Sequence, residues 1–239
     1  MKEKVLGIIG GMGPEATVEL MKRVIKATPV NDEEDHIRML VDNNPKVPSR
    51  MKALIEGSGE NPGPYLAQMA HKLEIAGADF LAMPCNTAHY YLEEISSAVN
   101  IPILNMVNLS IDAVLKDNSS IKTIGILSST AVLKTALYEK GFKEKGVLLI
   151  NPFALTQEEV LSAIKKIKTG HYGSEVANMI QTAIKELIDR GAEALLIACT
   201  ELSIVADQLQ TEIKLIDSLQ VLSDRIVREA KLCKEKPLK

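Results

Sequence analysis

The chain repeats itself, and the repeat limits the folds open to it. Val5-Leu6-Gly7-Ile8-Ile9 matches Thr123-Ile124-Gly125-Ile126-Leu127, and Gly77-Ala78-Asp79-Phe80-Leu81 matches Gly191-Ala192-Glu193-Ala194-Leu195. Ile101-Pro102-Ile103-Leu104-Asn105 is echoed by Ile213-Lys214-Leu215-Ile216-Asp217. The copies are offset by 118 residues at the first match and 114 at the second, so the register holds over some 75 residues. Self-similarity at this spacing marks two copies of one supersecondary unit. Within each copy, short apolar runs alternate with helical stretches of 10–15 residues, the pattern of a parallel sheet covered by helices. Ligands of such sheets lie beyond the carboxyl ends of the strands. The sequence therefore predicts an α/β fold of two pseudo-symmetric lobes, each a parallel sheet flanked by helices, with the active site in the cleft between them. Residues 1–104 plus 217–239 form the N-terminal lobe, closed by a returning C-terminal helix, and residues 105–216 form the C-terminal lobe.

Strands are expected at Lys4–Ile9, His36–Val41, Asp79–Met83 and Ile101–Leu104, and again at Lys122–Leu127, Val147–Asn151, Ala194–Ala198 and Lys214–Ile216. The first strand runs into Gly10-Gly11-Met12-Gly13-Pro14-Glu15-Ala16-Thr17, where the glycines allow a tight turn and Pro14 with Glu15 opens a helix. That helix carries Val18, Met21, Val24 and Ile25 on one face. Pro45 and Pro48 make the next connection a non-helical loop carrying Arg50. Further helices are expected over Tyr65–Ala76, about 88–98, Ser110–Leu115, Ser129 to Lys140, Glu158–Lys168, Ser174–Arg190 and Leu219–Cys233.

The chemistry concentrates at two equivalent strand ends. Met83-Pro84-Cys85-Asn86-Thr87-Ala88-His89 follows one strand and Ala198-Cys199-Thr200-Glu201 the other, each cysteine eight residues beyond its glycine, Gly77 or Gly191. Three cysteines in the chain speak for reduced thiols, and the third, Cys233, lies in a charged tail with no counterpart in the repeat. A thiol before a helix N-terminus meets the positive end of the macrodipole, which predicts a lowered pKa at both Cys85 and Cys199.

Several chemistries remain open at this level. A metal site wants more soft ligands than two cysteines supply, and a redox dithiol normally uses C-x-x-C, which is absent. A cysteine hydrolase would pair Cys85 with His89, one helical turn on, leaving Cys199 unexplained. Gly11-Met12-Gly13-Pro14-Glu15-Ala16 fits the dinucleotide pattern G-x-G-x-x-A, but Asp42 stands 29 residues beyond Gly13, too far for the acidic residue that pattern requires. Two-base proton transfer uses both thiols: one takes a proton from a carbon beside a carboxylate, and the other delivers one to the opposite face. Backbone N–H groups at Met12-Gly13, Asn86-Thr87 and Thr200-Glu201 suit the developing enolate charge. Arg50 suits one substrate carboxylate, and the cluster Lys165, Lys166 and Lys168 offers a cation for the other.

Composition narrows the partners. Net charge is −3, aromatic residues are 3% and tryptophan is absent, so neither a phosphate-tracking stripe nor base-stacking platforms are expected, which argues against nucleic acid as a partner. No apolar run reaches membrane-spanning length and no secretory leader opens the chain, so no membrane partner and a cytoplasmic location are expected.

The three motifs, in order, resemble the aspartate/glutamate racemase family over essentially the whole chain, most closely its aspartate racemase branch. The resemblance implies cofactor-independent racemisation of a small acidic amino acid, without pyridoxal phosphate or metal, in a two-lobed α/β homodimer. It makes Cys85 and Cys199 the catalytic pair, Arg50 the carboxylate-binding arginine and Lys168 the substrate-binding lysine, with Lys166 a near alternative. Met12, Gly13, Asn86, Thr87, Ala88, Thr200 and Glu201 complete the substrate-binding set. Ala198 replaces the glycine common before the second cysteine. Glutamate racemases typically carry Asp-Ser in the first glycine turn and His after the second Cys-Thr. Met12 and Glu201 stand there in this chain, shifting the expectation toward aspartate, with broad-specificity relatives as the alternative.

Overall fold

The computed structural model describes residues 3–117 and 120–231, and Cys233 lies outside them. The chain divides into two compact units, Met1–Met106 with Leu219–Lys239, and Val107–Ser218.

In the first unit, β1 (Leu6–Gly10) lies between β2 (Met39–Asn43) and β3 (Phe80–Ala82), all parallel. The expected fourth strand is reduced to one parallel bridge, Leu81 to Ile103. In the second unit the order is β5 (Leu148–Ile150), β4 (Thr123–Ser128), β6 (Ala194–Ala198) and β7 (Lys214–Asp217), again all parallel. Every residue of β1 and of β6 is buried, as expected of strands covered on both faces.

The repeat survives at the level of single hydrogen-bond registers. Leu6 pairs with Phe80 and Gly7 with Leu81 in one unit, and Ile124 with Ala194 and Gly125 with Leu195 in the other. Leu81 is bridged to Ile103 where Leu195 pairs with Leu215. The acidic residue before each inner strand plays the same part. Asp79 N–H donates to the Val5 carbonyl while its carboxylate accepts from Val5 N–H at 2.7 Å. Glu193 N–H donates to the Thr123 carbonyl while its carboxylate accepts from Thr123 N–H at 3.1 Å.

The helices preceding these strands are α2 (Gly63–Ile75) and α8 (Ser174–Asp189). Each lays a face on its central strand, Leu66, Met69, Ala70 and Leu73 in α2 and Ile180, Ala183, Ile184 and Leu187 in α8. The contact depends on a glycine in the strand. A Cβ at Gly7 would come within 2.5 Å of Leu81 Cδ2 and 2.9 Å of Ala78 Cβ, and one at Gly125 within 2.8 Å of Leu195 Cδ2 and 3.0 Å of Leu187 Cβ. One apolar cluster joins Ile9, Leu73, Leu81, Met83 and Cys85, and another joins Leu127, Leu187, Leu195, Ile197 and Cys199. Each large apolar side chain so buried contributes about 1.5–3 kcal/mol.

The remaining helices are α1 (Pro14–Ala27), α3 (Leu92–Ser96), α4 (Met106–Asp117), α5 (Thr130–Lys134), α6 (Glu139–Glu144), α7 (Ala154–Lys168), α9 (Thr200–Ser203) and α10 (Ser218–Lys231). Four expectations need correction. Helix α1 buries Ala16, Thr17, Leu20 and Val24, so Val18 and Ile25 face outward. The helix expected from Ser129 to Lys140 is broken into α5 and α6, with Ala136 at φ 51° between them. The loop behind Arg50 winds into a π-helix over Lys52–Glu56. The helix expected at 88–98 is a 3-10 helix, Thr87–Tyr91, that passes into α3. No helix among the described residues is long and apolar enough to cross a membrane.

The strand glycines give a direct check on this packing. Gly7→Ala is expected to cost about 1–3 kcal/mol by overpacking. Gly125→Ala should cost less, because both of its tightest contacts are looser, 2.8 Å to Leu195 Cδ2 and 3.0 Å to Leu187 Cβ, against 2.5 Å and 2.9 Å around Gly7. Urea denaturation measures both, and an unchanged midpoint for Gly7→Ala would contradict the helix–strand contact.

Candidate active site

The first unit assembles its predicted residues at the carboxyl ends of β1 and β3. Gly13 is the extended residue before Pro14, the first residue of α1. Gly11 N–H donates to Thr17 Oγ1 at 2.9 Å, which ties the glycine turn to the first helical turn. Met12 is buried in the same apolar cluster as Cys85, Ala88 and Tyr91. Arg50 docks on this turn: its guanidinium donates to the Met12 carbonyl at 3.2 Å and to the Pro48 carbonyl at 3.1 Å. Its charge also reaches Tyr91, where it opposes the burial that raises the phenol pKa. Asn86 is buried and Thr87 half-buried, both directly after Cys85.

Cys85 is 6% exposed and sits in a tight turn, its N–H donating to the Met83 carbonyl at 2.8 Å. His89 does not address its thiol. One ring nitrogen, Nδ1, lies 2.9 Å from the Cys85 carbonyl oxygen, and the other, Nε2, accepts the Met106 N–H at 3.1 Å. A nitrogen that accepts is unprotonated, so the ring is neutral and Nδ1–H donates to Cys85. Burial holds it neutral by lowering the pKa, against the backbone carbonyls of Cys85, Leu104 and Asn86, which favour the charged form. With both nitrogens engaged on the backbone, the arrangement is not that of a Cys–His nucleophile pair.

The second unit builds its site differently. Cys199 ends β6, is also 6% exposed, and precedes the single turn of α9. Its Sγ donates to Glu201 Oε2 at 3.2 Å, while Lys168 Nζ, at the end of α7, lies 3.6 Å from Glu201 Oε1. Glu201 thus stands between an ammonium and a thiol. Thr200 is fully buried beside it. Lys166 points elsewhere and is paired with Glu175. Of the two candidate lysines, Lys168 is therefore the one brought to the cysteine.

The lowered pKa expected for Cys199 is overturned. Burial pushes the thiol well up, the Glu201 carboxylate pushes the same way, and only Lys168 among the principal charges opposes them. A helix of four residues supplies too little dipole to reverse that balance. Cys199 is held as the thiol, with its proton aimed at a carboxylate.

Sequence reasoning missed two residues around this strand end. Gln157 on α7 donates its amide to the carbonyl of Ser128 at 2.9 Å, and Ser128 pairs with Ala198 next to Cys199. Its Oε1 is buried with no protein partner. A polar residue on the face that otherwise carries Val160, Ile164 and Ile167 was the only hint. Asp217, at the end of β7, accepts from Ser203 Oγ at 2.6 Å and anchors α9. Among the described residues no three His, Cys, Asp or Glu side chains converge to hold a metal ion.

Each of the two parallel-sheet units presents a buried cysteine at the end of an inner strand. Residues 9–226 match the Asp/Glu/hydantoin racemase family, and the chain belongs to it. It is 30% identical over 236 residues to the broad specificity amino-acid racemase RacX of Bacillus subtilis, covering 93% of this chain and 96% of that protein. Among solved structures it is similar to the aspartate racemase of Picrophilus torridus, with a TM-score of 0.83, 29% identity, and coverage of 95% of this chain and 94% of that one. It also shares the fold of a Francisella tularensis glutamate racemase solved with D-glutamate, with a TM-score of 0.65 at 18% identity, covering 100% and 86% of the two chains.

The electrostatics of Cys199 can be measured directly. Glu201→Gln removes the carboxylate that raises the thiol pKa, so more thiolate forms at neutral pH and alkylation of Cys199 by iodoacetamide should speed up. Lys168→Met removes the opposing charge and should slow it. Mass spectrometry of the Cys199 peptide reads both rates, and equal rates in all three proteins would contradict the Lys168–Glu201–Cys199 arrangement.

Proposed function

We propose that the protein is a cofactor-independent amino-acid racemase that interconverts L- and D-aspartate by proton transfer between Cys85 and Cys199. The observation that carries the reading is the Cys199 thiol, kept protonated and directed by Glu201 at the strand end equivalent to that of Cys85. In this form Cys199 is the proton donor. The partner thiol, Cys85, must then act as thiolate and remove the α-proton from the other face. The step balances: the Cα–H bond breaks toward Cys85, a new Cα–H bond forms with the Cys199 proton, and the charge moves from Cys85 to Cys199. The reverse direction uses the opposite pair of protonation states.

The substrate carboxylates need cations. Arg50 and Lys168 are the two the arrangement offers, one from each unit. Arg50 already donates to backbone carbonyls with the bidentate fork that suits a carboxylate. Lys168 already holds one carboxylate, Glu201, which a substrate carboxylate would have to rival. Backbone N–H groups near Gly13, Thr87 and Thr200 serve the enolate-like charge in this reading. The similarity to a broad-specificity racemase favours a second substrate range, in which neutral amino acids are also turned over. The reading includes a homodimer, as the family resemblance implies, and a cytoplasmic location.

Chiral chromatography of L-aspartate incubated without pyridoxal phosphate tests the proposal, run beside glutamate and a panel of neutral amino acids. Formation of D-aspartate is expected, and Cys85→Ser and Cys199→Ser should each lower kcat by about 10²–10⁴-fold, the range of a lost acid or base. Aspartate should exceed the other substrates in kcat/KM. Comparable rates across the panel would give the broad range instead, and full activity of either serine variant would exclude the two-thiol mechanism.

A further inference from the structure

The residue four positions after each cysteine ties the cysteine turn to the place where the chain changes unit. The chain leaves the first unit after Met106 and returns to it after Ser218. These are equivalent places in the repeat, because α4 starts at Met106, three residues beyond the bridged Ile103, and α10 at Ser218, three beyond its counterpart Leu215. His89 reaches the first crossing through Met106 N–H, and Ser203, its counterpart, reaches the second through the Asp217 carboxylate. The same connection is made twice with different side chains.

We propose that His89 is a positioning residue for the Cys85 thiol, a rigid strut between the Cys85 peptide and the first amide of α4. The inference rests on the two-thiol reading above. Three features support it. A helix leaves its first N–H groups without intrahelical partners, and the Met106 N–H finds its acceptor in His89 Nε2. The Cys85 peptide is held from both sides, its N–H on the Met83 carbonyl and its carbonyl on the His89 ring. The ring is itself 5% exposed and anchored at both nitrogens, so it leaves the cysteine backbone little freedom to move. Only an imidazole offers a donor and an acceptor at a fixed separation across a planar ring, which a flexible side chain would reproduce at an entropic cost. In the second unit the Cys199 carbonyl instead accepts from the Leu202 and Ser203 N–H groups of α9, so Ser203 needs to make only the connection to the crossing.

Two variants separate a strut from a packing residue. His89→Phe fills the space and breaks both hydrogen bonds, whereas His89→Asn places an amide donor near the position of Nδ1 and keeps the bond to the Cys85 carbonyl. If His89 positions the thiol, His89→Phe lowers kcat about 10²-fold, the cost of a misplaced reacting group, with KM little changed. Release of the turn should also speed iodoacetamide alkylation of Cys85 several-fold. His89→Asn should recover most of kcat and the slow alkylation. Unchanged kcat and Cys85 alkylation in a folded His89→Phe protein would overturn the proposal, as would His89→Asn behaving like His89→Phe. The ¹⁵N shifts of the His89 ring in the wild-type protein give a test that needs no variant to fold: they should show the Nδ1–H tautomer, and an Nε2–H ring would overturn the proposal. Cys85 alkylation and the ring shifts do not depend on turnover. Failure of the wild-type protein to racemise any amino acid would therefore count against the function and not against the strut.

Discussion

Everything at the candidate site depends on parallel pairing of each central strand with its inner neighbour, β1 with β3 and β4 with β6, in one and the same register. Parallel strands cannot be joined by a tight turn; they need a crossover, here a helix that must pack on the sheet it bridges. Gly7 and Gly125 let that helix approach the strand, and Leu73 and Leu187 occupy the space. Once those contacts fix the inner strand, the residue beyond its end is fixed too. That residue is a cysteine in both units, and in both it belongs to the apolar cluster under the sheet.

Identical placement does not produce identical chemistry. A buried thiolate is disfavoured by desolvation, and a neighbouring carboxylate makes it worse. Cys199 meets both conditions, and the Lys168 charge that would relieve them is 41% exposed and 3.6 Å from the intervening Glu201. Among the described residues no carboxylate is hydrogen-bonded to the Cys85 thiol; a neutral histidine holds its backbone instead. The two copies of one unit have diverged in the residues two and four places after the cysteine, Thr87 and His89 against Glu201 and Ser203. That divergence puts a carboxylate on the Cys199 thiol and a histidine ring on the Cys85 backbone.

Much of this was legible in the sequence because it follows from periodicity. The apolar runs, the glycine eight residues before each cysteine and the 114-residue offset are features of spacing, and the sheets reproduce them residue by residue. Lys166 and Lys168 both lie on the last turn of α7, and spacing alone does not show that one pairs with Glu175 and the other with Glu201. What could not be read depends on through-space partners. The helix N-terminus predicted a low thiol pKa, and the burial of Cys199, with the Glu201 carboxylate aimed at it, reversed it. The break at Ala136 falls at a residue other than glycine or proline, so the sequence carries no local signal for it. On α1, Val18 and Ile25 share a helical face with Met21, which suggested a core face. The sheet instead takes Ala16, Leu20 and Val24, one step around the helix.

The central claim is that one substrate carbon is served by two thiols, one from each copy of the repeat. The most direct measurement is the fate of solvent deuterium during the first turnovers of L-aspartate in D₂O. Two bases on opposite faces place deuterium in the D-aspartate formed and leave the recovered L-aspartate protiated. Deuterium appearing in recovered L-aspartate as fast as in the product would show a single base working on both faces, and would contradict the account.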